Sequence, residues 1–239
     1  MSKLLWGFYL LLTFLVTLPA SWWLLSKADF AYPVLYEEIG VAEHIEHFAP
    51  RNTKNKLGFE FTTKAQRLQL FHQVSVAIQN HGQGLTQLSY NVDNQAIVLF
   101  TSAEVTHLQD VANLLDKLKP LIIGLIILWL AVSLVLMLKK VVLPSLTAWL
   151  NIVAVMLILI GATLALGPEK IFNQMHIWVF PDNHQWFFYY EESLMSTMMK
   201  APDLFAYIAG LWGLLSALLT TLMITFLTTL GRKIHDSFK

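Results

Sequence analysis

The chain has 239 residues, 56% of them hydrophobic and only 13% charged, with 16 positive charges balanced by 16 negative. An ordinary soluble domain is about 25% charged, and a nucleic-acid binder would carry a basic excess, so this composition excludes both classes. There is no cysteine, hence no disulfide, thiolate metal site or thiol nucleophile.

The missing charge is localised. Leu4–Ser26, Pro120–Leu138, Val141–Pro168 and Leu204–Gly231 carry no charged residue. Each is long enough to cross a bilayer as a helix, which takes about 20 apolar residues. The sequence therefore predicts a polytopic α-helical membrane protein with four transmembrane helices at 4–26, 120–138, 141–168 and 204–231. Between spans one and two lies a small α+β extracytoplasmic domain, 27–119. Between spans three and four lies a short helical and aromatic segment, 169–203, and a tail, 232–239, follows span four. Lys3, the connector Lys139-Lys140 and the tail residues Arg232, Lys233 and Lys239 fall on one side of such a fold. The positive-inside rule makes that side, with both termini, cytoplasmic. The cytoplasmic pieces then sum to +5, the first outer segment to −2 and the second to −3. The first span could instead be a cleaved signal peptide, given Leu18-Pro19-Ala20. Its length and the following Trp22-Trp23 pair favour an anchor.

In chain order, the outer domain opens with an acidic stretch through Glu37, Glu38, Glu43 and Glu46. Lys54–Thr62 is weakly strand-like. Thr63–Asn80 reads as an amphipathic helix with Ala65, Leu68, Phe71, Ser75 and Ile78 on one face, stopped by Gly82 and Gly84. Leu85–Tyr90 and Gln95–Phe100 read as strands joined by a turn at 91–94. Thr101-Ser-Ala-Glu104 is a capping box. It starts a helix with Val105, Leu108, Ala112 and Leu115 on one side, His107 and Asp110 on the other, and span two beyond.

The second outer segment starts a helix at Pro168-Glu169, with Phe172, His176 and Phe180 sharing a face at spacing four. Pro181-Asp-Asn183 reads as a turn, and an aromatic run from Trp186 to Tyr190 follows. Ser193 begins a short helix whose apolar side is Leu194, Met195, Met198 and Met199, ended by Pro202. Its aromatic content places this segment in the membrane–water interface or against the first outer domain.

No span carries an ionisable residue, which argues against a proton-coupled carrier. Neither a phosphate loop nor a nucleophile elbow is present. Candidate chemistry rests on His107, with Asp110 one turn away, and His176 among aromatics. An imidazole works as a general base near neutral pH, and a carboxylate beside it fixes its tautomer. The plainer alternative for each is a satisfied interface histidine. Glu43-His44-Ile45-Glu46-His47 has metal-ligand spacing, and its plainer reading is a solvated helix face.

Thr106-His107-Leu108-Gln109-Asp110-Val111 resembles the His-x-x-Asp/Glu-Val element of the lipoprotein intramolecular transacylase family. Phe172 through His176, Phe180, Asn183 and Trp186 resemble its second element, between spans three and four. Glu192-Ser193-Leu194 and Pro202 resemble the Asp-Ser/Pro-Leu and the Pro that members carry C-terminal to that element. Ala112 stands where members have a basic residue, and Phe187-Phe188-Tyr189-Tyr190 replaces the family's Leu-Asp-Pro. The resemblance implies an acyltransferase at the outer leaflet of a bacterial inner membrane. It would move an O-acyl chain from the diacylglyceryl group of a lipoprotein to its N-terminal cysteine amine. The implied catalytic pair is His107 and His176, with Asp110 orienting His107. Asn173, Gln174 and Trp186 are candidates to steady the oxyanion, and Glu192 is a supporting residue. The implied partners are membrane lipid and a diacylated lipoprotein, with no cofactor, metal or nucleic acid. Two other classes compete: a non-catalytic membrane protein whose outer domain binds a partner protein or lipid, and a metal-dependent hydrolase built on the Glu43–His47 cluster.

Overall fold

The structure, a computed structural model, describes residues 3–139, residue 158 and residues 167–237. The third apolar window falls almost entirely outside the described residues. The chain divides into two compact units, one of Met1–Leu24, Lys119–Pro168 and Gly210–Lys239, the other of Leu25–Leu118 and Glu169–Ala209.

Three helices among the described residues are long and apolar enough to cross a membrane: α1 (Lys3–Lys27), α5 (Ser102–Leu138) and α8 (Asp203–Ser237). In the first unit, small hydroxyl residues let these helices meet. Thr17 Oγ1 lies 2.8 Å from Thr220 Oγ1, and Ser21 Oγ lies 2.5 Å from Ser216 Oγ. The Trp212 indole donates to the Leu18 carbonyl (2.8 Å), the Trp129 indole to Thr13 Oγ1 (3.0 Å), and Tyr9 OH pairs with Ser133 Oγ (2.8 Å). In hydrocarbon there is little hydrophobic drive between helices. Close packing and interhelical hydrogen bonds of this kind hold them together. These residues of α1 thus have partners on α5 and α8.

The second unit is mostly helical. It contains α2 (Tyr32–Glu38), α3 (Val41–Phe48), α4 (Lys64–Gln79), the amphipathic half of α5, α6 (Pro168–Val179) and α7 (Leu194–Met199). Among the described residues the only sheet is a hairpin of β1 (Ser89–Val92) and β2 (Gln95–Val98), paired Tyr90 to Ile97. Its turn is Asp93-Asn94, both at positive φ (49° and 63°). That is the conformation a two-residue hairpin turn needs, and one Asp and Asn tolerate.

Three local expectations are corrected. Lys54–Thr62 is not a strand: Asn52 Oδ1 accepts from the amides of Lys54 (2.9 Å) and Lys56 (3.1 Å), and Gly58 turns at φ 83°. The chain then enters a 3-10 turn, Phe59–Phe61, with Phe59 buried against Tyr90. Local side-chain bonds to the backbone outcompeted strand pairing here.

The helix at 63–80 exists and Thr63 with Gln66 forms its capping box, but its buried face is Arg67, Leu70, Phe71, Val74 and Ser75. Ala65 is exposed. Arg67 turns inward because its guanidinium donates to Thr62 Oγ1, Tyr36 OH and the Glu60 carbonyl. A hydrophobic count cannot see a buried arginine whose donors are satisfied. Lastly, the hairpin strands are shorter than the two runs that predicted them.

The second outer segment packs on the first. Tyr32, fully buried, stacks on Phe71 (3.9 Å between rings) and donates to the Met198 carbonyl (2.7 Å). Every residue of α7 is buried, so its methionines form core on all sides rather than a stripe.

Candidate functional site

The site is assembled by two caps. Thr101 caps α5: its amide and hydroxyl donate to Glu104 Oε2 (2.6 and 2.7 Å), and its hydroxyl accepts from the Glu104 amide (3.4 Å). The other carboxylate oxygen, Oε1, accepts from Ser193 Oγ (2.6 Å) and the Met195 amide (3.0 Å). Ser193 Oγ also caps α7 by accepting from the Ser196 amide (3.0 Å). Glu104 is completely buried. One carboxylate with four donors therefore closes a capping box and fastens the C-terminal end of the loop 181–193 to α5.

One turn along α5 from Glu104 is His107, and Leu108 and Ala112 continue the buried face. On α6, Phe172, His176 and Phe180 stack at spacing four, with ring centroids 4.1 Å and 5.1 Å from His176. The fold brings the two imidazoles together, 5.7 Å apart and tilted 32°. Phe180 stands edge-on to His107 (5.0 Å), Phe188 lies 6.1 Å from it, and Trp186 lies over His176 (5.0 Å). Aromatic rings thus wall the histidine pair.

Both histidines are held neutral. His107 is pushed down to about 4, first by burial and then by the neighbouring His176, with Asp110 pulling the other way. Burial also lowers His176, opposed by its hydrogen bond to the Phe172 carbonyl. In low dielectric the charged form is the costly one. The His176 Nδ1–H donates to that carbonyl at 2.7 Å. In the neutral ring this leaves Nε2 as an unprotonated acceptor.

Asp110 does not orient His107. Its Oδ2 accepts from His184 Nδ1 at 2.6 Å. The turn at Pro181, closed by the His184 amide bonding the Pro181 carbonyl (3.0 Å), delivers that ring to the same helix face. Asn173 is half-buried beside Phe172. Gln174 is exposed; two residues of helix turn it about 200° away from His176, so it does not face the imidazoles. Glu192 pairs with Lys54 at 3.7 Å instead of reaching the histidines. The Glu43–His47 cluster disperses: the His44 ring packs on Phe48 and Tyr190, while His47 contacts Phe48 and Arg51. Among the described residues no three histidines or acids gather as a metal site would require.

Sequence reasoning missed His184 and the Glu104–Ser193 bond. His184 lies just after the Pro181-Asp-Asn183 turn with no periodic partner, so nothing in the sequence marks it. Glu104 and Ser193 were each legible as caps. That one caps into the other is a tertiary fact, since they stand 89 positions apart in the chain.

No curated protein and no solved structure matches the chain. The lipoprotein intramolecular transacylase Lit family matches residues 7–202. That stretch is most of the sequence and contains both imidazoles, their aromatic wall and the Glu104 clamp, so the chain belongs to the lipoprotein intramolecular transacylase family.

Proposed function

We propose that the protein transfers an O-acyl chain from the diacylglyceryl group of a lipoprotein to the α-amino group of its N-terminal cysteine. It would do so at the outer leaflet of a bacterial inner membrane, with four spans, outer segments at 27–119 and 169–203, and both termini cytoplasmic. The observation that carries this reading is the pair of neutral imidazoles 5.7 Å apart in an aromatic enclosure.

The substrate supplies its own nucleophile, so no Ser or Cys of the enzyme is needed, and donor and acceptor on one molecule make proximity nearly free. His176 is the base: its Nε2 lone pair is fixed by the bond from Nδ1 to the Phe172 carbonyl, and it takes the proton released by the attacking amine. The nitrogen–carbon bond forms at the ester carbonyl, and the oxyanion collapses with loss of the glyceryl oxygen. His107 is the neutral donor. A depressed pKa makes it a poor base, but its ring N–H stabilises the oxyanion without a charged imidazolium. The proton held by His176 then goes to the leaving alkoxide, so the sum is ester plus amine to amide plus alcohol. Trp186 and Phe180 exclude water, which would otherwise hydrolyse the ester.

The test is mass spectrometry of a lipoprotein N-terminus in cells with and without the protein, and with His107→Asn or His176→Asn. The wild type should move one acyl chain from glycerol to amine. Each variant should lower the rate about 100-fold or more, while inserting normally. Full activity in both variants refutes the mechanism.

A further inference from the structure

Beside the imidazoles, in the same unit, lies a half-open cavity of about 320 Å³, at the small end of ligand-binding sites. Asp110, Asn113, Leu114 and Lys117 line it from α5, and Val179 to Pro181 close it from α6 and the turn beyond. Phe180 is shared: one side faces this cavity and its ring stands 5.0 Å from His107. The four α5 residues have the three- and four-residue spacing of a single helix face. They lie on the side of His107 that leads toward the apolar run 120–138.

The polar groups on this wall are unequally committed. Asp110 is engaged by His184 (2.6 Å), and the Asn113 side-chain carbonyl accepts from Gln109 Nε2 (3.0 Å). Among the described residues, the Asn113 amide N–H groups and the Lys117 ammonium have no protein partner. What the cavity offers is therefore donors, three on Lys117 and two on Asn113, set among Leu114, Val179, Phe180 and Pro181. A ligand that suits it carries acceptors and few donors on an apolar frame. An unpaired carboxylate or phosphate fits less well, because Asp110 sits in the same wall. An ester does fit: its carbonyl oxygen accepts, it has no N–H or O–H, and it is uncharged.

We propose that this cavity is the glyceryl-ester subsite, in which Asn113 and Lys117 hold the carbonyl of the ester that does not react while its neighbour meets the imidazoles across Phe180. This rests on the acyl-transfer reading for the reaction, but not for the binding. Holding one ester fixes the glycerol backbone and so selects which of two chemically similar esters is presented, a positioning role for two residues outside the catalytic pair.

The experiment separates binding from turnover. Dioleoylglycerol and its dialkyl ether analogue, which keeps the chains but lacks both carbonyls, are titrated into the full-length protein in detergent micelles, with the tryptophan fluorescence change that a Trp186→Phe variant lacks as readout. The wild type should prefer the ester about tenfold, as expected for one or two hydrogen bonds to an ammonium and an amide. Lys117→Met and Asn113→Leu should each shrink the preference at least threefold, and Lys117→Arg should retain most of it. In turnover of a diacylated lipopeptide, Lys117→Met should raise KM more than it lowers kcat. Equal binding of ester and ether by the wild type overturns the proposal, as does an undiminished preference in both variants. Displacement of dioleoylglycerol by a non-acylated peptide would instead make the cavity a polypeptide site and also overturn it. Ester preference with no acyl transfer would leave this inference standing and remove the proposed reaction.

Discussion

The clamp at Glu104 is the joint on which the site depends, and Glu104→Gln tests it with the smallest possible change. Each carboxylate oxygen faces one backbone donor that cannot turn away: the Thr101 amide at 2.6 Å on Oε2 and the Met195 amide at 3.0 Å on Oε1. Both oxygens must therefore accept. A glutamine keeps one oxygen and presents an NH2 group to the other pair, so two bonds to a charged acceptor are lost and one buried backbone N–H is stranded. A bond to a charged group is worth about 1.5–3 kcal/mol and a stranded donor costs about 1–3 kcal/mol. These contributions overlap, so the net loss is about 3 kcal/mol. For a chain of this size that lowers Tm by roughly 6–12 °C, read by tryptophan fluorescence during thermal unfolding in detergent. Ser193→Ala removes two bonds, the one to Glu104 and the cap on the Ser196 amide, but spares the Met195 and Thr101 amides, so its loss should be smaller, about 2 kcal/mol. A Glu104→Gln protein melting within about 1 °C of wild type, or no lower than Ser193→Ala, refutes the clamp.

Three further outcomes are expected. A free histidine charges near pH 6.5, whereas His107 resists until about 4. The unfolded chain therefore takes the proton first, and stability should fall as pH drops from about 6.5 toward about 4; chemical denaturation at pH 7 and pH 5 should show this fall, and His107→Asn should reduce it. Arg67→Lys should destabilise the outer unit by about 2–3 kcal/mol, because one ammonium cannot serve Thr62, Tyr36 and the Glu60 carbonyl in the fork geometry that arginine provides; a change below about 0.5 kcal/mol in denaturant unfolding would contradict that assignment. Thr17→Val combined with Ser21→Ala should cost only about 1 kcal/mol, since interhelical hydrogen bonds in membranes average about 0.6 kcal/mol, and acyl transfer should persist; loss of the folded protein on gel filtration would contradict this.

The elements most legible in the sequence were those with a local cause. The Thr101–Glu104 box, the start of α6 at Pro168 and the Phe172/His176/Phe180 stripe each come from spacing of a few residues, and each formed. The Asp93-Asn94 turn was legible for the same reason. Where sequence reasoning failed, a side chain acted across the fold. Arg67 rotated the buried face of α4 because Tyr36, far away in the chain, accepts from it at 2.8 Å. Lys54–Thr62 gave up its strand because Asn52 offered its backbone immediate partners and Phe59 turned in to bury itself against Tyr90 of β1.

Asp110 shows why a motif locates a site without assigning its chemistry. Spacing three on a helix makes Asp110 a neighbour of His107, and by spacing alone the carboxylate orients that ring. His184 intervenes with a 2.6 Å bond. The consequence reaches His107 itself: with that carboxylate engaged elsewhere, burial dominates and the ring stays neutral to about pH 4. Had Asp110 bonded it directly, the imidazolium would be stabilised and His107 would be the stronger base. In the proposed mechanism the partner choice of one aspartate would thus divide the roles, with His176, its Nδ1 tied to Phe172, as base and His107 as neutral donor. Replacing His184 with Phe frees Asp110 to approach His107. It should raise the pH at which the transfer rate falls on the acid side, and an unmoved acid limb would show that Asp110 has no such choice to make.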